Sequence, residues 1–281
     1  MQAETTGPKR VVLCADDFAV HESASLGIAE LAARGRLSAT SVMVLSPRWA
    51  QDVARLRELR GHIDVGLHLD WTSDFAVAAG HGLSLPATML KAALGGFQGA
   101  ATREAIERQL DAFETRWQGA PDYVDGHQHV QQFAGIREAL VQALVRRYGA
   151  GSGPRPYLRI SRAPPGGADL KSRVIAAMGA SALETIAAHA GFTGASALSG
   201  IYDFAGDQAR YGRLMAGWLQ TAPDDSIIMC HPAQTAVAAD AIGAARAREF
   251  AYLASPEFPG ALARARAQLV RGGAPAAKIR G

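Results

Sequence analysis

Residues 11–18 read VVLCADDF, five apolar positions that run into two adjacent carboxylates, Asp16 and Asp17. An apolar run ending this way reads as a buried strand that delivers polar side chains to one rim of a sheet. Three other segments share the design: 63–70 (IDVGLHLD), 123–129 (YVDGHQH) and 227–232 (IIMCHP). Four such strands, far apart in sequence, can bring two carboxylates and several imidazoles to one point. A mononuclear metal hydrolase needs that collection: acid and imidazole ligands, with a further carboxylate and imidazole to move protons.

Working outward, β and α patterns alternate. Strands are expected at 10–15, 40–45, 63–69, 123–125, 157–161 and 227–230. Helices are expected at 23–34, 49–59, 102–118, 136–148, 173–188 and 207–222. The first has an apolar face of Leu26, Ile28, Leu31 and Ala32 and a stop at Gly35; the third has Ile106, Leu110, Phe113 and Trp117 at helical spacing. Two stretches break the rhythm. Residues 73–101, rich in Gly and Ala, read as a lid or binding loop, and 166–208 as a second irregular section. Residues 1–8 and 274–281 read as loose ends. The alternation implies an α/β fold with a parallel sheet, and chemistry at strand C-termini fits either a barrel or an open sheet.

The chain has 281 residues, no internal repeat and no shift in composition that marks a boundary, so a single domain is expected. A net charge of +3 on dispersed basic residues, with no aromatic-laced basic patch, argues against nucleic acid. The apolar run 11–15 is too short to span a bilayer, and no apolar leader precedes a cleavage site, so no membrane partner and a cytoplasmic location are expected. Cys14 and Cys230 lie in apolar runs without a CxxC and read as buried free thiols. A homo-oligomer is compatible with all of this.

Adjacent carboxylates at the end of a buried strand need a positive neighbour, and a divalent cation is one solution. Gly66, His68 and Asp70 share a face of an extended strand, with Gly66 leaving space beside His68. Asp125, His127 and His129 also alternate and, if extended, point the same way. His231 is held at a strand end by Pro232, a suitable place for an acid or base. Arg159 lies in the strand pattern YLRIS. Pointing inward, it needs a carboxylate partner, and Asp16 is the candidate. His81, in the suspected lid, is a weaker candidate for substrate contact.

Together ADDF (15–18), GRLSATS (35–41), GLHL (66–69), DGHQH (125–129) and MCHP (229–232) resemble the YdjC-like carbohydrate deacetylases over about residues 10–255. The resemblance implies a distorted (β/α) barrel and removal of acetyl groups from N-acetylated amino sugars. It implies Asp17, His68 and His127 as ligands of one divalent metal ion, Asp16 as catalytic base and His231 as acid. The chain departs from the pattern at Ala19, where the family has Gly, at Ser25 in place of Asn, and at Asp70 and Trp71 before Thr72.

The expected function is therefore metal-dependent hydrolysis of an acetylated amino sugar, a small carbohydrate substrate. Asp125, His129, Arg159 and Asp70 would support the site, and Trp71 would stack on a sugar ring unless it packs in the core. The ligand set suits zinc, while the family association is with magnesium, so the choice between Mg²⁺ and Zn²⁺ stays open. The rivals are a deformylase, a metal phosphoesterase and a catalytically silent sugar-binding protein.

Overall fold

The computed structural model describes residues 7–149, 153, 155–164 and 170–272. The loose ends expected at 1–8 and 274–281 lie almost wholly outside these residues. Eight strands form one sheet: β1 (Lys9–Phe18), β2 (Ala39–Val42), β3 (Asp64–Leu69), β4 (Tyr123–Gly126), β5 (Tyr157–Leu158), β6 (Leu198–Ser199), β7 (Ser226–Cys230) and β8 (Ala267–Leu269). The order is β5-β4-β3-β2-β1-β7-β6, with β8 also on β1, and every pair is parallel. The C-terminal ends of the strands therefore share one rim. The sheet curls until its two ends meet through irregular backbone: Leu158 N donates to Thr193 O (2.9 Å) and Leu198 N to Arg162 O (2.8 Å). This curled, parallel sheet is the distorted (β/α) barrel that the resemblance implies, and it decides between the barrel and the open sheet that the strand pattern allowed.

The alternation along β1 divides the core in two. Val11, Leu13 and Ala15 join the large cluster beneath the helices, whereas Val12 and Cys14 join the small inner one with Tyr123, Tyr157, Ile227 and Met229. The expected helices form as α1 (Glu22–Ala33), α2 (Trp49–Arg57), α5 (Ala100–Trp117), α6 (Ile136–Tyr148) and α9 (Gln208–Thr221). The stripe Ile106, Leu110, Phe113 and Trp117 is buried against the sheet.

Several expectations need correction. Residues 73–101 are not a simple loop but carry α3 (Asp74–Ala78), capped by Ser73, and α4 (Leu85–Ala93), with Pro86 in its first turn. The single helix expected at 173–188 is two, α7 (Leu170–Ala177) and α8 (Ala180–His189). Gly179 separates them at φ +129°, where a Cβ would lie 2.2 Å from the Gln132 carbonyl oxygen. The strand at 157–161 stops at Leu158. The sequence reading did not include α10 (Gly243–Ala254), α11 (Glu257–Arg264), β6 or β8.

Gly66 makes room, but for Tyr123 rather than for His68: a Cβ at position 66 would lie 2.5 Å from Tyr123 Cζ. The Tyr123 ring cannot easily yield, because it stacks on Tyr157 at 5.0 Å and its hydroxyl is held by Ser41 Oγ at 2.9 Å. Gly66→Ala is therefore expected to destabilise the protein by about 1–3 kcal/mol, the usual cost of overpacking. Urea unfolding checks this, and an unchanged midpoint would contradict the packing constraint.

Candidate active site

A regular strand sends neighbouring side chains to opposite faces, so Asp16 and Asp17 should not both reach the rim cavity. The register between β1 and β2 shifts between Ala15 and Phe18, and Asp17 takes φ +66°. This bulge turns the second carboxylate back toward the first. Ala19, where a glycine was expected, also has positive φ (+73°). Its amide donates to Ser25 Oγ (3.1 Å), and Ser25 donates to Asp52 Oδ2 (2.7 Å), which anchors the turn.

Asp17 Oδ1 lies 3.3 Å from His68 Nε2 and 3.2 Å from His127 Nδ1. Two ligand atoms each about 2.1 Å from one ion, at tetrahedral or octahedral angles, would be roughly 3.0–3.4 Å apart, so this spacing fits a shared cation. The atoms behind the group fit too. His68 Nδ1 is 2.6 Å from Asp125 Oδ1, which leaves Nε2 to face Asp17. Asp17 Oδ2 accepts from Arg246 Nη2 at 2.7 Å, so only Oδ1 is presented to the imidazoles.

Asp16 is gripped by Arg159 through two bonds, Nη1 to Oδ1 (2.6 Å) and Nη2 to Oδ2 (2.9 Å). Arg159 Nη1 also lies 2.9 Å from Asp125 Oδ2, and Ser41 Oγ donates to the same oxygen at 2.5 Å. Cys14, Asp16 and Asp125 form a second group of possible metal donors, but the guanidinium already occupies the position between the carboxylates. Cys14 and Cys230 are both buried free thiols, and burial followed by Asp16 pushes the Cys14 thiol well up.

The electrostatics follow from burial of charge. Asp16, Asp17, Asp125 and Asp240 face two guanidiniums, Arg159 and Arg246, leaving a formal excess of two negative charges. Burial pushes Asp16 and Asp17 up, but Arg159 with His68 and His231 at Asp16, and Arg246 with His127 and His68 at Asp17, together outweigh it and hold both carboxyls well below the usual range. Burial pushes His68 down, yet Asp125 outweighs it and raises the imidazole to about 10. The potential that favours a proton on His68 would equally favour a divalent cation, and the two compete. His129 goes the other way, to about 3, through burial and then Arg159.

His231 Nε2 is 3.9 Å from Asp16 Oδ2, too far for a hydrogen bond. Its backbone N–H donates to Glu249 Oε2 at 2.5 Å, its ring meets Phe204 edge-on at 5.3 Å, and its buried Nδ1 has no hydrogen-bond partner among the described residues. Burial lowers its pKa, and Glu249 and Asp16 only partly compensate. The rim opens into a cavity of about 850 Å³ whose lining includes Asp16, Asp17, His68, His127, His231 and Arg246.

The structure thus brings together Asp16, Asp17, His68, Asp125, His127, His129, Arg159 and His231. The extended reading of DGHQH is corrected: β4 ends at Gly126, and a tight 3-10 turn follows (His127–Gln132), with Gln128 and His129 at positive φ. His127 consequently faces Asp17, while His129 Nδ1 lies 3.0 Å from Ser161 Oγ. Asp70 is also corrected: it accepts from the amides of Thr72 and Ser73 and so shapes the turn after β3, away from the cavity. Trp71 is 1% exposed and packs against His81 and Phe97, so it offers no ring to a sugar, and His81 is not among the residues lining the cavity.

Sequence reasoning missed Arg246, Glu249, Ser41 and Tyr123. Arg246 and Glu249 lie in α10, flanked by the buried Ala245 and Leu253, and two charged groups inside an apolar stripe were a usable signal.

The sequence profile of the YdjC-like protein family matches residues 10–264, and the chain belongs to that family. It is 32% identical over 147 residues to the carbohydrate deacetylase of Mus musculus, covering 48% of this chain and 47% of that protein. It is 28% identical over 150 residues to the chitooligosaccharide deacetylase of Enterobacter sp. (strain 638), covering 50% of this chain and 57% of that protein. These matches span about half the length of the curated relatives. Among solved structures, a candidate cellobiose-phosphate cleavage protein of Enterococcus faecalis V583 superposes with TM-score 0.67 at 18% identity, over 95% of this chain and 98% of that one, a likeness of fold. No helix among the described residues is long and apolar enough to cross a membrane.

Arg159→Met should leave Asp16 and Asp125 as buried charges without their cation. A loss of about 3–5 kcal/mol is expected. Urea unfolding in the presence of a chelator measures it, and a loss under 1 kcal/mol would mean the guanidinium is not what neutralises the pair.

Proposed function

We propose that this protein is a metal-dependent deacetylase of N-acetylated amino sugars. The observation that carries the proposal is the convergence of Asp17 Oδ1, His68 Nε2 and His127 Nδ1 beside a separate carboxylate and imidazole, Asp16 and His231. A sugar-binding protein would need neither of the last two. The names of the curated relatives, carbohydrate deacetylase and chitooligosaccharide deacetylase, support the same chemistry.

A divalent cation held by Asp17, His68 and His127 would supply a Lewis acid for the acyl carbonyl and a more acidic water. One carboxylate and two imidazoles suit zinc or another transition metal better than magnesium. Asp16 takes the proton from the attacking water. Arg159 keeps Asp16 ionised at any working pH but also makes it a weak base, so it suffices only for a water already made acidic. His231 gives a proton to the departing amine nitrogen. His129 is a poor substitute acid, because burial and then Arg159 keep its imidazole neutral down to about pH 3.

His68→Ala and His127→Ala should each lose the metal, as read by elemental analysis, with different side effects. Removing His68 also strips Asp125 of a partner 2.6 Å away and should destabilise the fold. Removing the 23%-exposed His127 side chain should leave stability within about 1 kcal/mol of wild type when both proteins are stripped of metal. Full occupancy in both variants would sink the ligand assignment.

Asp16→Asn should retain metal and lose activity roughly 10²–10⁴-fold. Acetate release from an N-acetyl sugar panel reads it, and a near-normal kcat would make Asp16 structural.

The depressed His231 sets the expected pH dependence. An imidazole that must be protonated loses function as pH rises through its pKa, so kcat/KM should fall on the alkaline side beginning below about pH 6.5. His231→Ala should be slow and lack that limb. The same rate and profile in the variant would remove His231 from the mechanism.

A further inference from the structure

The turn after β4 puts Gln128 and His129 in left-handed backbone, at φ +52° and +63°, and so turns the second imidazole of DGHQH away from the first. Backbone outliers of this kind gather at functional sites. His129 is buried, yet it lines the reaction cavity together with Asp16, His68, His127 and His231. The charged groups whose fields reach its ring most strongly are Arg159, Asp16, His68 and His231. It therefore stands at the reacting end of the cavity, near both the base and the acid, and the proton transfers assigned to those two leave it without a role.

A chain of hydrogen bonds fixes which of its ring nitrogens carries the proton. Gln131 Nε2 donates to the Arg159 carbonyl oxygen at 2.9 Å and to Ser161 Oγ at 3.5 Å. Ser161 Oγ lies 3.0 Å from His129 Nδ1. Gln131 offers this hydroxyl only an N–H, so the hydroxyl hydrogen has one acceptor among the described residues, the lone pair of Nδ1. Were Nδ1 protonated instead, Ser161 would face two donors and its own hydrogen would be buried without a partner. Nδ1 is thus the acceptor, and the ring hydrogen sits on Nε2. Nε2 has no hydrogen-bond partner among the described residues and is not shut away from the cavity. The result is a neutral N–H donor, fixed in place and open to whatever occupies the cavity.

We propose that His129 is a third catalytic residue: it donates Nε2–H to the acyl oxygen of the substrate as that oxygen becomes negative, with Ser161 and Gln131 as positioning residues that hold the tautomer. The proposal rests on the deacetylase reading above. When the oxygen of water bonds to the acyl carbon, its proton passes to Asp16 and the carbonyl π pair moves onto the acyl oxygen. That pair returns as the C–N bond breaks, the bonding pair leaves with nitrogen, and nitrogen takes the proton of His231. The acyl oxygen carries charge only between those two events, so a fixed donor beside it favours the transition states over the bound substrate. A neutral imidazole is too weak an acid to surrender its own proton there, which suits it to donate a hydrogen bond and nothing more.

Imidazole nitrogen NMR of the whole protein reads the tautomer without turnover. His129 should show a protonated Nε2 and a bare Nδ1, and Ser161→Ala should lose this preference. A proton on Nδ1 in the wild type would overturn the assignment. His129→Asn supplies a residue that tolerates left-handed backbone but is too short to reach the acyl oxygen. With metal content and urea midpoint unchanged, it should lose about 10²–10³-fold in kcat on an N-acetylglucosaminide, and as much in kcat/KM. It should bind the methylphosphonamidate of glucosamine, a tetrahedral anionic mimic, more weakly by a similar factor. A KM raised at constant kcat, or equal binding of the mimic, would overturn the role at the oxyanion. If His129→Asn does not fold, the wild-type tautomer and Ser161→Ala decide, since kcat in that variant should fall as the Nε2–H is lost. Acetate release unaffected by either variant would overturn only the role of His129. Wild type that releases no acetate would overturn the deacetylase reading and this one with it.

Discussion

The site depends on negative charge buried in excess of its fixed positive partners. Asp16, Asp17 and Asp125 lie at the ends of parallel strands, out of water, where an unpaired carboxylate would be protonated or would unfold the rim. Two guanidiniums from elsewhere in the chain hold them: Arg159, just past β5, spans Asp16 and Asp125, while Arg246 on α10 holds Asp17. Each arginine also selects which oxygen remains free. Arg246 takes Oδ2 of Asp17 and leaves Oδ1 to the two imidazoles. Arg159 and Ser41 take one oxygen of Asp125 and leave the other to orient His68. The remaining excess charge is what suits the site to a divalent cation.

That arrangement needs the strands to break their own rules. The bulge at the end of β1 lets consecutive aspartates face the same cavity, at the cost of positive φ at Asp17 and Ala19. The turn after β4 places two more non-glycine residues, Gln128 and His129, in left-handed backbone and so separates His127 from His129. Strain of this kind persists where surrounding bonds hold it, and here Ser25, Ser161 and the buried carboxylates supply them.

Much of the fold was legible because α1, α5, α6 and α9 are long and periodic, and because β1, β3, β4 and β7 end in chemically distinctive residues. The Asp16–Arg159 pair could be named from the sequence alone, since an arginine in a core strand requires a carboxylate. Other features had no such signal. β6 and β8, with two and three residues, are too short to show a period. The break at Gly179 is set by the Gln132 carbonyl, a contact made only in the folded chain. Asp70 and Trp71 lie two and three positions after His68 and looked like site residues, but the turn after β3 carries them into the core. Arg246 did carry a signal, a charge within the apolar stripe of α10, but nothing local pointed to its partner, Asp17, 229 positions away.

The most direct test of the central claim is a metal titration. Protein stripped with a chelator would be titrated with one divalent metal, and acetate release from an N-acetylglucosaminide measured at each addition. Activity should rise linearly and level off at one equivalent per chain, then fall away when the chelator returns. Acetate release that is independent of metal, or that needs two equivalents, would contradict a single cation held by Asp17, His68 and His127.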